Sequence, residues 1–205
     1  MPLLLLIRHG ENEYVTNGRL AGRSPGVHLN DKGKSQAQAI AERLKPVPIK
    51  AIYSSPLERA LETAAPLAEA KNLEIIPRQG LSETDFGDWQ GKTLKSLRRR
   101  KLWRLVQSAP SRMRFPGGET FAECQLRVTQ ELEAIAAQHK PKEMIVCFFH
   151  SDPIKLAVAY YLGMPLDYFQ RLMIAPASIS SLLLSVAGAR LLNLNFDLSL
   201  NLSKS

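Results

Sequence analysis

Cysteine is scarce in this chain, with only Cys124 and Cys147 among 205 residues, each inside an otherwise apolar pattern. This scarcity excludes a disulfide framework and is typical of a reducing compartment, with both thiols in the core. Long hydrophobic runs are also missing. The apolar residues 3–7 are too few for a membrane span or for the core of an export signal. The sequence therefore predicts a cytoplasmic protein without membrane contact, and residues 3–7 as its first buried strand.

Aromatic residues make up only 7% of the chain, and no nucleic-acid-binding motif is visible in it. The net charge is nevertheless +8, which suits an acidic partner such as nucleic acid, an anionic membrane surface or a phosphorylated small molecule. The densest basic cluster, residues 98–101 with Arg104, is typical of a solvated helix face. A phosphorylated small molecule is therefore the favoured partner, and nucleic acid is disfavoured.

Segments that predict strands alternate with segments that predict helices along the whole chain. Predicted strands cover residues 3–7, 49–53, 73–76 and 144–149, and a hairpin joins 179–186 to 190–196 across 187–189. Predicted helices begin at Asn30, directly after residues 54–56, at Leu94, near Phe121 and at Asp152. The second of these helices is expected to kink or restart at Pro66, and the third is expected to end at Val106. This alternation predicts one three-layer α/β/α domain over residues 1–205, with a mainly parallel central sheet and a C-terminal β-hairpin.

Polar side chains follow four of these strands at the point where each one ends. In open sheets of this kind, ligands bind outside the carboxyl ends of the strands. We therefore expect these side chains to converge on one edge of the sheet. They are Arg8 and His9 after the first strand, Ser54, Ser55 and Arg59 after the second, Glu83 and Asp85 beyond a short loop after the third, and His150 after residues 144–149.

These residue types suit phosphoryl transfer without a metal. Guanidinium groups bind phosphate oxygens in pairs and keep their charge. A neutral imidazole is a competent nucleophile, and nearby arginines favour the neutral form. A carboxylic acid opposite it can protonate the leaving oxygen and then activate water. The set therefore predicts a reaction through a phosphohistidine, with no cofactor and no metal.

Five motifs in order give the chain a resemblance to the histidine phosphatase superfamily, whose fold is phosphoglycerate mutase-like. They are Ile7-Arg8-His9-Gly10-Glu11, Ser54-Ser55-Pro56-Leu57-Glu58-Arg59-Ala60, Glu83-Thr84-Asp85-Phe86-Gly87-Asp88-Trp89-Gln90-Gly91, Pro116-Gly117-Gly118-Glu119-Thr120 and His150-Ser151-Asp152. The resemblance implies that His9 is the phosphorylated nucleophile and Glu83 the proton donor. It also implies a phosphate pocket formed by Arg8, Arg59 and His150, with Gly10 letting the backbone turn beside the phosphate.

Three further residues are candidates for substrate contact. Asn12 stands where many relatives of this family carry serine, and it can still donate a hydrogen bond to a phosphate. Gly22 and Arg23 are expected to line the entrance. Residues 92–116 are expected to cover the pocket, and the roles of Arg112 and Arg114 stay open.

The resemblance favours the phosphatase branch, because the chain has only a short insertion after the acidic loop and a short tail. Cofactor-dependent phosphoglycerate mutase-type transfer is the alternative. A non-enzymatic phosphate-binding protein on the same fold and a basic nucleic-acid-binding domain are weaker readings, since His9 and Glu83 are both present. The natural substrate stays open among sugar phosphates, phosphoglycerates, nucleotides and α-ribazole phosphate. A homodimer through an exposed sheet edge is plausible, and no sequence feature decides it.

Overall fold

One six-stranded mixed sheet organises the computed structural model, which describes residues 2–185 and 188–197. Its strands are β1 (Leu3–Arg8), β2 (Ile49–Ser54), β3 (Ile75–Pro77), β4 (Met144–Phe149), β5 (Ile179–Ser185) and β6 (Gly188–Phe196). They lie in the order β3-β2-β4-β1-β5-β6. The β1–β4, β4–β2 and β2–β3 pairs are parallel, whereas β5 is antiparallel to both β1 and β6. This confirms the predicted fold class and the C-terminal hairpin; Val186 and Ala187 of the predicted hairpin lie outside the described residues.

Seven helices connect or flank these strands within the described ranges. They are α1 (Glu13–Thr16), α2 (Asp31–Leu44), α3 (Glu58–Lys71), α4 (Leu94–Leu97), α5 (Trp103–Ser108), α6 (Phe121–Ala137) and α7 (Ser151–Tyr161). Polar side chains cap the N-termini of two of the longer helices. Asn30 accepts from the Gly33 N–H at the start of α2, and Thr120 and Glu123 form a reciprocal capping box on α6. None of the described helices is both long and apolar enough to span a bilayer.

Alternate residues of the central strands pack on opposite faces of the sheet, as a pleated strand requires. On one face, Leu4 and Leu6 of β1 join a core built with α6 and α7. On the other face, Leu5 and Ile7 join a core built with α2 and α3. The near-continuous apolar sequence of β1 thus follows from burial on both sides. A strand held this way gives the residues at its end a rigid position.

Helix α3 runs without interruption through Pro66, so a restart there was wrong, whereas the alternative, a kink at Pro66, stays a prediction. Buried residues on both sides of Pro66 hold the two halves of the helix in the core, among them Ala64 and Leu67. Their burial outweighs the backbone hydrogen bond that proline cannot make. The helix also begins later than its Pro56 signal suggests, because Leu57 is its N-cap.

The predicted basic helix over residues 94–106 is instead two short helices, α4 and α5, separated by the basic residues 98–101. Leu97 and Val106 are both buried in a third core with Trp89, Phe115 and other aromatic residues. Nine residues of continuous helix would put Leu97 and Val106 about half a turn apart. The break between the two helices is what lets both side chains enter the same core.

Strands β3 and β6 form the two edges of the sheet. On β6, Leu192 and Phe196 are 58% and 48% exposed. Pairing of this edge strand with another chain would cover these apolar side chains. The homodimer through a sheet edge stays a prediction.

Candidate active site

The predicted residues converge because β1 and β4 are parallel neighbours at the centre of the sheet. Arg8 is in register with Phe149, and the His9 N–H donates to the Phe149 carbonyl at 2.9 Å. The next residue after each strand, His9 and His150, therefore lies at the same edge. Their ring centroids are 5.2 Å apart, with the ring planes at 60° to each other. Two imidazoles are thus placed side by side by strand pairing alone.

His9 is held as a neutral imidazole with a defined tautomer. Its Nδ1 lies 2.7 Å from the Gly10 carbonyl oxygen. Because a carbonyl only accepts, Nδ1 carries the proton and Nε2 keeps a free lone pair. Burial is the main cause that lowers the pKa of His9 well below its usual value, and Arg59 and Arg8 lower it further. The ring is therefore neutral near pH 7, with the Nε2 lone pair unprotonated.

His150 is completely buried, and its Nε2 lies 2.8 Å from the Ser55 hydroxyl. Its Nδ1 has no hydrogen-bond partner among the described residues. Burial, followed by the charge of Arg59, lowers the pKa of His150 well below its usual value. His150 is thus also neutral near pH 7, with one ring nitrogen directed to Ser55 and the other left for a ligand.

Arg59 and Arg8 bring two positive charges to the same cavity. Arg59 is 1% exposed; its Nη2 donates to the Gly22 carbonyl at 2.7 Å, while Nε and Nη1 have no partner in the described chain. Arg8 donates from Nη1 to the Ile174 carbonyl at 2.7 Å, and its buried Nε is likewise unpartnered. One contact fixes each guanidinium, and the remaining donors are free for an anion.

Glu83 lies opposite the histidines and favours its protonated form. Its Oε1 accepts from the Thr84 N–H at 2.9 Å, and its Oε2 is 4.0 Å from His150 Nδ1. Burial and the nearby charge of Asp152 raise the pKa of Glu83 to about 7, against the opposing effect of Arg59. A carboxyl group with this pKa can donate and accept a proton near neutral pH, which is what acid–base catalysis needs.

The three candidates for substrate contact occupy different places. Asn12 is fully buried and lines the cavity; its Oδ1 caps α1 by accepting from the Val15 N–H, and its Nδ2 has no described partner. Gly22 lines the cavity and holds Arg59 through its carbonyl. The Arg23 guanidinium instead donates to the Glu83 carbonyl at 2.8 Å and to Glu119 at 3.1 Å, so it braces the acidic loop.

Arg112 and Arg114 do not line this cavity. Arg114 is largely exposed and pairs with Glu123 at the start of α6. Arg112 lies in a short 3₁₀ turn over Pro110–Arg112. The geometry gives neither residue a contact with the histidine pair.

The sequence pattern assigned no contact in the site to Asp152, Phe86 or Arg19, whereas it placed Ser55 at this edge of the sheet. Asp152, Phe86 and Arg19 line the cavity, and Ser55 holds His150. Asp152 follows His150 by two residues at the start of α7, where the sequence pattern indicated only a helix cap. The contacts of Phe86 and Arg19 depend on how distant loops pack, and no local spacing could have found them.

Gly10 matters for a different reason than expected. Its φ is not in the left-handed region, so the turn itself does not require glycine. A Cβ at Gly10 would instead lie 2.7 Å from the Gly33 carbonyl oxygen at the start of α2. Close packing of two backbones, rather than backbone freedom, therefore explains this glycine.

Together these groups form a cavity of about 110 Å³ lined by Arg8, His9, Asn12, Arg59, Glu83 and neighbours. Buried donors without a partner in the described chain come from Arg8, Arg59 and Asn12 of this lining, and from His150, whose ring lies beside that of His9. Donors without matching acceptors, next to two cations, suit an anion with several oxygens. In the described part of the chain, no cluster of three His, Cys, Asp or Glu side chains could hold a metal ion. Fold and site together define an enzyme of phosphoryl-transfer type.

Comparison with known proteins agrees with this class. The model of the histidine phosphatase superfamily (branch 1) matches residues 4–197, and the chain belongs to that family. Phosphoserine phosphatase 1 of Hydrogenobacter thermophilus is 34% identical over 82% of this chain and 80% of its own. A 2,3-bisphosphoglycerate-dependent phosphoglycerate mutase of Thermoplasma acidophilum is 32% identical over 88% and 86%. The solved structure of Bacillus stearothermophilus YhfR superposes with a TM-score of 0.90, at 26% identity, over 96% of this chain and 98% of that one. The predicted family and the predicted enzyme class, a phosphatase, are confirmed.

Proposed function

We propose that this protein hydrolyses the phosphomonoester of a small phosphorylated metabolite through a phosphohistidine at His9, without a metal ion or a cofactor. One observation carries the proposal. His9, whose Nε2 keeps a free lone pair, lines a cavity together with buried, unpartnered donors of Arg8, Arg59 and Asn12. The His150 ring, with its unpartnered Nδ1, lies 5.2 Å from the His9 ring. The similarity to phosphoserine phosphatase 1 supports hydrolysis of a small phosphate ester.

In the first step, His9 Nε2 attacks phosphorus and the bond from phosphorus to the ester oxygen breaks. Protonated Glu83 gives its proton to that departing oxygen, so a neutral alcohol leaves. The guanidinium groups of Arg8 and Arg59, with His150 Nδ1–H, stabilise the negative charge on the non-bridging oxygens. The products of this step are phosphohistidine, an alcohol and a Glu83 carboxylate.

In the second step, the Glu83 carboxylate accepts a proton from water as the water oxygen attacks phosphorus. The bond from phosphorus to His9 Nε2 breaks, and inorganic phosphate forms. His9 is again a neutral imidazole and Glu83 is again protonated, so the cycle closes. A pKa of about 7 at Glu83 suits both the donation and the acceptance.

Phosphoglycerate mutase-type transfer is the second candidate, and the similarity to the Thermoplasma acidophilum mutase favours it. Both reactions use the same phosphohistidine. They differ in whether water or a second substrate hydroxyl accepts the phosphoryl group, and a mutase must keep water away from its intermediate. Release of phosphate distinguishes the two.

The first experiment measures hydrolysis of p-nitrophenyl phosphate in EDTA by the wild type, His9→Ala and His28→Ala. His28 is an exposed histidine paired with Glu62 on the surface, so its replacement controls for loss of an imidazole elsewhere. We expect the wild type and His28→Ala to release phosphate in EDTA, and His9→Ala to be slower by about 1000-fold or more.

Three results would contradict parts of the proposal. Full activity of His9→Ala would remove the phosphohistidine, and activity lost in EDTA but restored by added metal would remove metal independence. No phosphate release, with interconversion of phosphoglycerates in the presence of the bisphosphate, would establish the mutase instead.

A further inference from the structure

A second cavity of about 440 Å³ lies beside the 110 Å³ cavity at His9, which we call the phosphate-binding cavity after its proposed role, and is much larger than it. The two share Leu20, Phe86 and Asp152 as lining residues, so they are adjacent. We call this second cavity the aromatic chamber. A phosphomonoester whose phosphate lies against His9 would extend its alcohol portion into the aromatic chamber.

Aromatic side chains form most of the apolar wall of the aromatic chamber. The indole rings of Trp89 and Trp103 lie nearly parallel, 20° apart in plane and 6.2 Å apart at their centroids. Phe115 meets Trp89 edge-on at 5.4 Å. Trp89 is fully buried, and its Nε1–H has no hydrogen-bond partner in the described chain. Because Trp89 and Phe115 have almost no exposed surface, the half-buried Trp103 presents the aromatic surface that a substrate ring can contact, and such a contact is favoured by burial and by stacking.

The charged groups of the aromatic chamber are largely occupied by one another. Lys155 donates to Asp152 at 3.1 Å and to Gln170 at 3.2 Å. Because Lys155 is already paired, it offers little attraction to a second anionic group of the substrate. The remaining cation of the lining, Arg98, is exposed on the segment between α4 and α5. The balance favours an uncharged, apolar group over a second carboxylate or phosphate.

We propose that the aromatic chamber binds the alcohol portion of the substrate. The preferred substrates are then phosphomonoesters whose alcohol carries an aromatic ring or an apolar group of similar size. Small polar esters, such as phosphoserine and phosphoglycerate, leave the chamber unfilled and react more slowly. This inference rests on the proposed function, since it takes the phosphate to bind at His9.

The test compares 2-phenylethyl phosphate with ethyl phosphate, because both release a primary alcohol and differ only in the ring. We expect kcat/KM to favour the phenylethyl ester by roughly 10- to 100-fold, the factor that follows from moving one phenyl ring out of water. In Trp103→Ala this ratio should fall severalfold. Leu102→Ala is the matched control, since Leu102 is the neighbouring residue, is 39% exposed and does not line the chamber. Its ratio should equal that of the wild type.

A binding measurement keeps this inference separate from the proposed function. The dissociation constants of 2-phenylethylphosphonate and ethylphosphonate, measured by calorimetry, report the ring's contribution without turnover. If the wild type hydrolyses neither ester but binds the phenylethyl compound at least tenfold more tightly, the proposed hydrolysis fails and the chamber stands. If both esters are hydrolysed at equal rates and both phosphonates bind equally, hydrolysis stands and the chamber inference is overturned. A ratio unchanged by Trp103→Ala would also overturn it.

Discussion

Ser55 Oγ lies 2.8 Å from His150 Nε2, and the same hydroxyl oxygen accepts a hydrogen bond from the Leu57 N–H at 3.3 Å. With the Leu57 N–H as donor, the hydroxyl proton of Ser55 is free to point at His150. Nε2 then accepts, and Nδ1 carries the proton on the side of Glu83. A residue between β2 and α3 thus determines which nitrogen of His150 carries the proton.

Ser55→Ala removes that constraint and leaves a buried ring nitrogen without a partner. We expect kcat to fall by roughly 10- to 100-fold, because losing one partner of a buried hydrogen bond carries a free-energy penalty of about 1–3 kcal/mol. Ser55→Thr keeps a hydroxyl and should recover part of the activity. Steady-state kinetics, with nitrogen NMR shifts of His150 to report the tautomer, provide the measurement. Unchanged kcat and unchanged shifts in Ser55→Ala would show that Ser55 does not position His150.

Glu83→Gln should slow the reaction according to the leaving group. Ethyl phosphate releases a strongly basic alkoxide that needs a proton, so its kcat/KM should fall by about 100-fold or more. p-Nitrophenyl phosphate releases a stable phenolate and should lose less than about tenfold in kcat/KM. The parameter kcat/KM reports the steps up to the first chemical step. It is therefore unaffected if Glu83→Gln also slows the hydrolysis of phosphohistidine.

Asp88→Asn is the matched control for Glu83→Gln, because Asp88 lies on the same loop, is exposed and does not line the phosphate-binding cavity. Its kinetics on both esters should match the wild type. Equal slowing of both esters by Glu83→Gln would remove Glu83 from the acid role.

The histidine pair could be predicted because it depends on strand ends. Apolar runs that stop at Arg8 and at His150 predict buried parallel strands, and the carboxyl ends of such strands share one edge. The aromatic chamber could not be predicted in the same way. Its wall depends on the break between α4 and α5, which follows from the burial of both Leu97 and Val106 against a distant core. The basic run at 98–101 is locally compatible with helix, and only tertiary packing decides against it.

Gly10→Ala tests whether close packing of two backbones sets the position of His9. The added Cβ would lie 2.7 Å from the Gly33 carbonyl, which as backbone cannot move aside like a flexible side chain. We expect a loss of roughly 1–3 kcal/mol in the free energy of unfolding, together with reduced kcat. Gly18→Ala is the comparison, because it adds backbone strain without a clash. A Cβ at Gly18 would meet open space, but the φ of Gly18, +58°, is strained for any residue with a side chain. Gly18→Ala should cost about 1 kcal/mol and leave kcat unchanged. Equal stability and equal kcat in Gly10→Ala and the wild type would contradict the packing role.

The pKa of Glu83 also predicts how stability changes with pH. The raised value of about 7, against an ordinary 4.5, means that the folded protein favours the neutral carboxyl. The contribution of the neutral Glu83 carboxyl to the free energy of unfolding is fully present below pH 4.5 and is lost as pH rises to about 7. The glutamine side chain of the Glu83→Gln variant is neutral at every pH. The stability of this variant relative to the wild type should therefore grow across this window, by roughly 3 kcal/mol at most.

Urea unfolding of both proteins at pH 5, 6, 7 and 8 measures this difference in stability. The buried histidines change stability with pH in the opposite direction, but they are present in both proteins, so their contribution cancels in the difference. Leu102→Ala removes no titrating group and should keep a constant offset from the wild type. A constant offset for Glu83→Gln as well would mean that Glu83 titrates normally, and its role as an acid near pH 7 would then have no physical basis.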